Sequence, residues 1–371
     1  MTETTRLVKL SRVAPGALAL AVALVLCGSL VSACTTSPPA GAPTTSSAPG
    51  SGTGAGSSTT TTPSTLPAAV PVGGSVAGGA LGPIGAIYRV SFVALAPGHI
   101  ALDQAAAGSP EFSRRVTVAF RRFGSGPDLV LVAGQDTTMS TFGLPLLSAL
   151  AAHFRVTVFD LPGTGFSGPP TAPLSVEWLA DVTAGLTVAL SLVHPIVVGW
   201  GLGGQVAIAM AARHSTLLSS LVLVDSAAGG KGSVPPGSYV SRLLAGPALT
   251  PSLLARLLFT SSASGRVAAS AWKAGLVSAA PDYLTEPAVG AEATLQRSAW
   301  ADRSLSADLA RLSLPVLVVH GLRDVVFPAI NSIRLAEQIQ GASRLVLPGA
   351  YGAIVEDPSA FVEVLSAFAA G

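Results

Sequence analysis

The chain is 371 residues long, 49% hydrophobic and only 11% charged, against about 25% charged in an average soluble protein. Its net charge of +2 belongs to the first 33 residues, where Arg6, Lys9 and Arg12 outweigh Glu3, and the rest of the chain balances its basic and acidic side chains. A body so sparsely and evenly charged excludes an acidic solvating tail and offers no field for holding a nucleic acid.

Behind the basic start, Val13 to Ala33 is an uncharged apolar run that ends in small residues. That order is the order of a secretory signal over residues 1–33. Val31, Ser32, Ala33 and Cys34 resemble a bacterial lipobox, which implies cleavage before Cys34 and a diacylglycerol on its sulfur. The chain is then expected on the outer face of a bacterial cell membrane, with the bilayer as its partner through Cys34. An uncleaved membrane helix is the alternative, since about 20 apolar residues suffice to span. Cys27 and Cys34 are the only cysteines, and Cys27 lies inside the leader, so the mature chain has no intramolecular disulfide to rely on.

Residues 34–79 are almost wholly Thr, Ser, Pro, Gly and Ala, without charge or aromatic side chain. Such a segment cannot bury enough apolar surface to offset its chain entropy, and it reads as a tether. Residues 80–109 form an N-terminal extension, and from Pro110 to the C-terminus the pattern is that of an α/β domain. Val116 to Phe123 alternates as an edge strand does, and Leu129 to Ala133 is a continuous apolar run. Arg155 to Phe159, Pro195 to Val198, Leu221 to Val224, Pro315 to Val319 and Arg344 to Leu347 follow as strands. Helix-compatible stretches lie between them: Phe142 to His153, Val176 to Leu192, Gly204 to Arg213, Ile330 to Gln340 and Pro358 to Ala369. Short apolar strands separated by amphipathic helices predict a mostly parallel sheet covered on both faces. Residues 227–313 interrupt the alternation with strand-poor sequence, including Val240 to Phe259 and Arg266 to Ala279, and read as a helical cap.

Four motifs then fall in order. Asp160-Leu-Pro-Gly163-Thr-Gly165-Phe-Ser167 forms a turn after a strand, and Gly199-Trp200-Gly201-Leu202-Gly203 stands between a strand and a helix. Val319 to Pro328 contains Asp324, and Leu347 to Pro358 contains Tyr351 and Gly352. Together they resemble the α/β-hydrolase superfamily, in its capped branch of esterases, epoxide hydrolases and related enzymes. The resemblance implies a nucleophile at the middle of the Gly-x-Ser-x-Gly elbow, a histidine base in the last motif and an acid at Asp324.

This sequence departs from that pattern where the chemistry sits. Gly201 occupies the nucleophile position and has no side chain to attack with. The histidine position falls on Gly352 when counted from the front of its motif and on Tyr351 when counted from the back. A tyrosine, with an ordinary pKa of about 10, is no base near neutrality. His99, His153, His194, His214 and His320 all lie elsewhere in the pattern. Asp324 alone remains of the triad, and with no imidazole to orient it reads first as a carboxylate bonded to backbone amides. Ala133-Gly134-Gln135-Asp136 replaces the oxyanion loop, where the amides of Gln135 and Leu202 are the candidate donors.

The candidate ligand-pocket residues are therefore Gly134, Gln135, Asp136, Trp200, Gly201, Leu202, Asp324 and Tyr351, with Trp200 equally readable as core. Gly163 and Gly165 lack a following Lys-Ser/Thr, and Gly199 to Gly204 lack an acidic ribose partner, so neither run is a nucleotide loop. No metal-ligand spacing and no cofactor motif is present. Three functions follow as expectations. The first is a pseudoenzyme that binds an apolar small molecule or a protein. The second is a hydrolase or lyase using Asp324, Asp136 or Tyr351. The third is a scaffold whose pocket is filled by side chains.

Overall fold

The computed structural model describes residues 11–12, 87, 89–95, 115–134, 137–244, 250–278 and 304–371. Nine strands are β1 Ser11–Arg12, β2 Ser91–Leu95, β3 Val116–Gly124, β4 Asp128–Val132, β5 Arg155–Phe159, β6 Ile196–Trp200, β7 Ser220–Val224, β8 Val316–Gly321 and β9 Ser343–Leu347. They form one sheet in the order β1-β9-β8-β7-β6-β4-β5-β3-β2. From β5 through β4, β6, β7 and β8 to β9 the pairing is parallel. The pairs β3·β5, β2·β3 and β1·β9 are antiparallel.

The central strands are apolar throughout because both faces of the sheet are covered. Side chains alternate between the faces. Leu129, Leu131, Val198, Val222, Val224, Leu317 and Val319 enter one core, and Val130, Val132, Val197, Leu221, Leu223, Val316 and Val318 enter the other. Burying each such side chain stabilises the fold by about 1.5–3 kcal/mol. Helices α1 Gly143–Ala151 and α9 Pro358–Ala370 cover the first face. The second face is covered by α2 Val176–Ala189, α3 Leu202–Arg213 and α8 Ile330–Gln338. Caps fix two of these starts: the Ser175 hydroxyl accepts from Trp178 N at 3.1 Å, and Asp357 accepts from Ala360 N at 3.2 Å.

Two features differ from the sequence reading. β3 is not an edge strand, because β5 pairs with one side of it and β2 with the other. β2 itself falls within 80–109, the stretch read as an extension ahead of the domain, yet its five residues supply the sheet edge. Within the segment read as a leader, Ser11 and Arg12 pair with Arg344 and Ser343 on the opposite edge. Cys34 and residues 34–79 lie outside the described residues.

Between β7 and β8 the described elements are helical: α4 Ser238–Leu244, α5 Pro251–Leu258, α6 Ala263–Ser278 and α7 Ser306–Leu309. Pro251, at the first turn, starts α5 behind Thr250, whose hydroxyl accepts from Leu253 N. Trp272 of α6 donates to Thr141 O at 2.9 Å and lies against Gly143. Leu258 O of α5 accepts from Gly352 N at 2.9 Å. These contacts seat α5 and α6 on the segments around residues 141–143 and 351–352, beside the carboxyl end of β6.

Candidate functional site

The strand-to-helix turn after β6 keeps the geometry of a nucleophile elbow. Gly201 sits at φ 57°, ψ −118° between Trp200 and the first residue of α3, a conformation that strains any residue with a Cβ. Its N–H donates to Val224 O at 2.9 Å, and its carbonyl accepts from the Ser226 hydroxyl at 2.7 Å. The neighbouring glycines are demanded by contact. A Cβ on Gly199 would stand 2.3 Å from Gly203 O, and one on Gly203 would stand 2.2 Å from Val132 O.

What a nucleophile would occupy is already filled. A Cβ on Gly201 would stand 2.3 Å from the Tyr351 hydroxyl and 3.2 Å from Phe327. The same hydroxyl lies 2.7 Å from a Cβ placed on Gly134, so it is inserted between the elbow and the loop after β4. Of the two positions open in the sequence, Tyr351 is therefore the one that meets the elbow. Gly352 turns away beneath Leu258, where a Cβ would lie 2.7 Å from Leu258 O.

Aromatic packing fixes Tyr351. Its ring lies 5.0 Å from Trp200 and 5.8 Å from Phe327, the latter nearly parallel at 22°. Phe142 closes the cluster at 5.5 Å from Trp200. The Trp200 indole N–H donates to Tyr351 O at 2.9 Å, which ties the elbow strand to the loop bearing the tyrosine. Trp200, Phe142, Phe327 and Tyr351 are all buried. Trp200 is wholly buried in the core, and Gly134, Gly201 and Leu202 are buried with it. Gln135 and Asp136 lie outside the described residues.

Asp324 follows β8 and is buried. One carboxylate oxygen accepts from Val326 N at 2.7 Å and Phe327 N at 3.0 Å, so it holds the turn that presents Phe327 to Tyr351. Its second partner was not foreseen. Asp225, at the end of β7 with φ 44°, is wholly buried and accepts from Gly321 N at 2.7 Å. The remaining oxygen of each carboxyl, Oδ2 of Asp225 and Oδ2 of Asp324, is buried without a hydrogen-bond partner among the described residues, and the two groups act on each other through charge. Burial pushes Asp324 up to about 7 and Asp225 well above the usual carboxylate range, with the charge of Asp324 adding to the second shift. Burial thus favours the protonated form of both carboxyls. The sequence signal for Asp225 was slight: a lone acid closing the apolar run Leu221 to Val224.

Asp160 is also buried but structural. Its carboxylate accepts from Met139 N at 2.7 Å and Phe166 N at 2.9 Å. A Cβ on Gly165 would meet that carboxylate at 2.1 Å, which is why the motif after β5 needs glycine there. Of the histidines, His214 binds Asp181 at 2.7 Å, and His153 and His194 are exposed. His320 is buried near the end of β8, where burial and the Arg344 charge lower it to about 4 and keep it neutral. His99 lies outside the described residues.

A family profile described as the alpha/beta hydrolase fold matches residues 138–357. The chain belongs to the α/β-hydrolase family. It is 30% identical over 271 residues to a pimeloyl-(acyl-carrier protein) methyl ester esterase of Aeromonas hydrophila, covering 68% of this chain and 99% of that one. Among solved structures it superposes on the esterase RhEst1 of Rhodococcus with a TM-score of 0.56 at 26% identity, over 69% of this chain and 95% of that one. The enol-lactonase of Burkholderia xenovorans LB400 matches at 0.57 and 23% identity, over 69% and 97%, and shares the fold. Against the α/β-hydrolase plan, this chain keeps the backbone of the elbow and the acid position, and fills the space between them with Tyr351.

Proposed function

We propose that this chain is an envelope-anchored α/β-hydrolase-fold protein that binds rather than hydrolyses, its partner being an apolar small molecule or another protein. One observation carries the reading: the Tyr351 hydroxyl stands where the first side-chain carbon of a nucleophile at position 201 belongs. A triad enzyme needs that space for its serine and the tyrosine's place for its base. Removing either group from such a triad costs on the order of 10⁴ to 10⁶ in rate, and here both are replaced. The anchoring part rests on the basic start, apolar run and small residues that precede Cys34. With the elbow filled, a bound partner belongs on the helical insertion between β7 and β8.

A second reading, hydrolysis by a non-standard site, is favoured by the two buried carboxyls Asp225 and Asp324, whose protonated forms burial favours, and by the esterase names of relatives. Asp324, Asp136 and Tyr351 are its candidate groups. The two readings separate on turnover of p-nitrophenyl esters of short and medium acyl chains by the full chain. Binding without hydrolysis gives the solvent rate for the parent and for Asp324→Ala alike. Turnover that Asp324→Ala removes establishes the enzyme and ends the proposal.

A further inference from the structure

A surface groove of about 480 Å³ lies where α5, α6 and the loop after β8 meet. Four cations line it: Arg256 from α5, Arg266 and Lys273 from α6, and Arg323 from the loop. Helical spacing explains the convergence, since residues 266 and 273 are seven apart and share one face of α6. No carboxylate lines the groove among the described residues. The nearest acidic motif residue, Glu356, lies in the adjoining cleft and is occupied by Thr260, accepting from its N–H at 2.7 Å and from its hydroxyl. All four cations are exposed, and none forms a salt bridge among the described residues.

The groove is also apolar. Phe259, Leu257, Ala269 and Val325 contribute to its lining. The loop that carries Arg323 also exposes Leu322 and Val325 at 64% and 46%. In a body whose charges otherwise balance, four cations without a carboxylate partner among the described residues, Arg266 donating to Ser261 O, near exposed aliphatic side chains make a local, amphipathic feature. A free anion would satisfy the cations and leave Leu322 and Val325 in water. A bilayer surface accepts both, its headgroup phosphates meeting the cations and its acyl boundary meeting the aliphatics.

We infer that this groove is a binding site for the anionic headgroups of a phospholipid membrane. The site is independent of the elbow and of any lipid on Cys34.

The test is flotation of the full chain carrying Cys34→Ala with vesicles of phosphatidylcholine, alone or mixed equally with phosphatidylglycerol. The leader's own cations are common to every protein compared, so the effect is read from groove variants. Each Lys or Arg near an anionic surface strengthens binding about fivefold, so Arg256→Gln with Lys273→Gln is expected to weaken binding to the mixed vesicles by on the order of twenty-five-fold. Binding to phosphatidylcholine alone is expected to stay unchanged, and the difference is expected to shrink as salt is raised. The substitutions are neutral and exposed, and Arg323→Gln, on a different segment, provides a second variant with about a fivefold loss. The inference is overturned if the variants bind mixed vesicles as the parent does, or if the parent binds the mixed and the phosphatidylcholine vesicles equally.

Discussion

Substitution of Gly201 measures how completely the elbow is filled. Gly201→Ala introduces a Cβ at φ 57°, ψ −118°, which costs about 1–3 kcal/mol in backbone strain. The new carbon also lies 2.3 Å from the Tyr351 hydroxyl, and such overpacking adds about 1–3 kcal/mol. Gly201→Ala alone should therefore destabilise the fold by about 2–6 kcal/mol. Removing only the hydroxyl, with Tyr351→Phe, relieves the second contribution, because the next ring atom stands 3.3 Å from the added carbon. Urea unfolding of the parent, both single variants and the double variant gives a complete cycle, read at constant denaturant slope. The double variant should be more stable than the sum of the singles by about 1–3 kcal/mol. Additivity to within about 0.5 kcal/mol would refute the placement of the hydroxyl over residue 201.

Three further outcomes follow from the same geometry. The Asp225–Asp324 pair keeps in the folded state a proton that the unfolded chain releases above pH 4 or so. Its contribution to stability therefore falls as pH rises from about 4 through about 7. Plotted against Asp225→Asn/Asp324→Asn, the urea midpoint of the parent should decline over that window by the equivalent of a few kcal/mol; parallel profiles would contradict it. His320, lowered to about 4, acts in the opposite direction below about pH 6.5, and it is common to both proteins. Asp160→Ala strands the buried amide of Met139 and the part-buried amide of Phe166, the first alone at about 1–3 kcal/mol, so a urea-derived loss below about 1 kcal/mol would mean the carboxylate does not hold that turn. Gly203→Ala presses a carbon to 2.2 Å from Val132 O and 2.6 Å from Ala133 O, both backbone atoms, and should lower the melting temperature by ten degrees or so; an unchanged melting curve would show that the elbow is looser than described.

Much of the fold was legible because its strands are short, fully apolar and separated by helices of ordinary length. Leu221 to Val224 and Arg155 to Phe159 were placed to within a residue for that reason. β2 was not placed, since Ser91–Leu95 is a five-residue run lying among small residues that resemble the tether, and β3 was then assigned its place at the edge. At the site, the missing nucleophile could be read directly from Gly201, because an elbow is local in sequence. The sequence left Tyr351 and Gly352 as alternatives, which only packing against Phe327 and Trp200 could separate. Asp225 escaped altogether: a carboxylate acquires its meaning from its partner, and the partner, Asp324, arrives on a different strand.

The central claim is that nothing at the elbow attacks a carbonyl or phosphonyl centre. It is tested most directly by incubating the full chain with excess fluorophosphonate and, separately, with an activated acyl ester, and reading the intact mass with the modified peptide mapped. The account predicts no adduct between residues 199 and 204 and none on Asp324 or Tyr351. A stoichiometric adduct on any of these would contradict it.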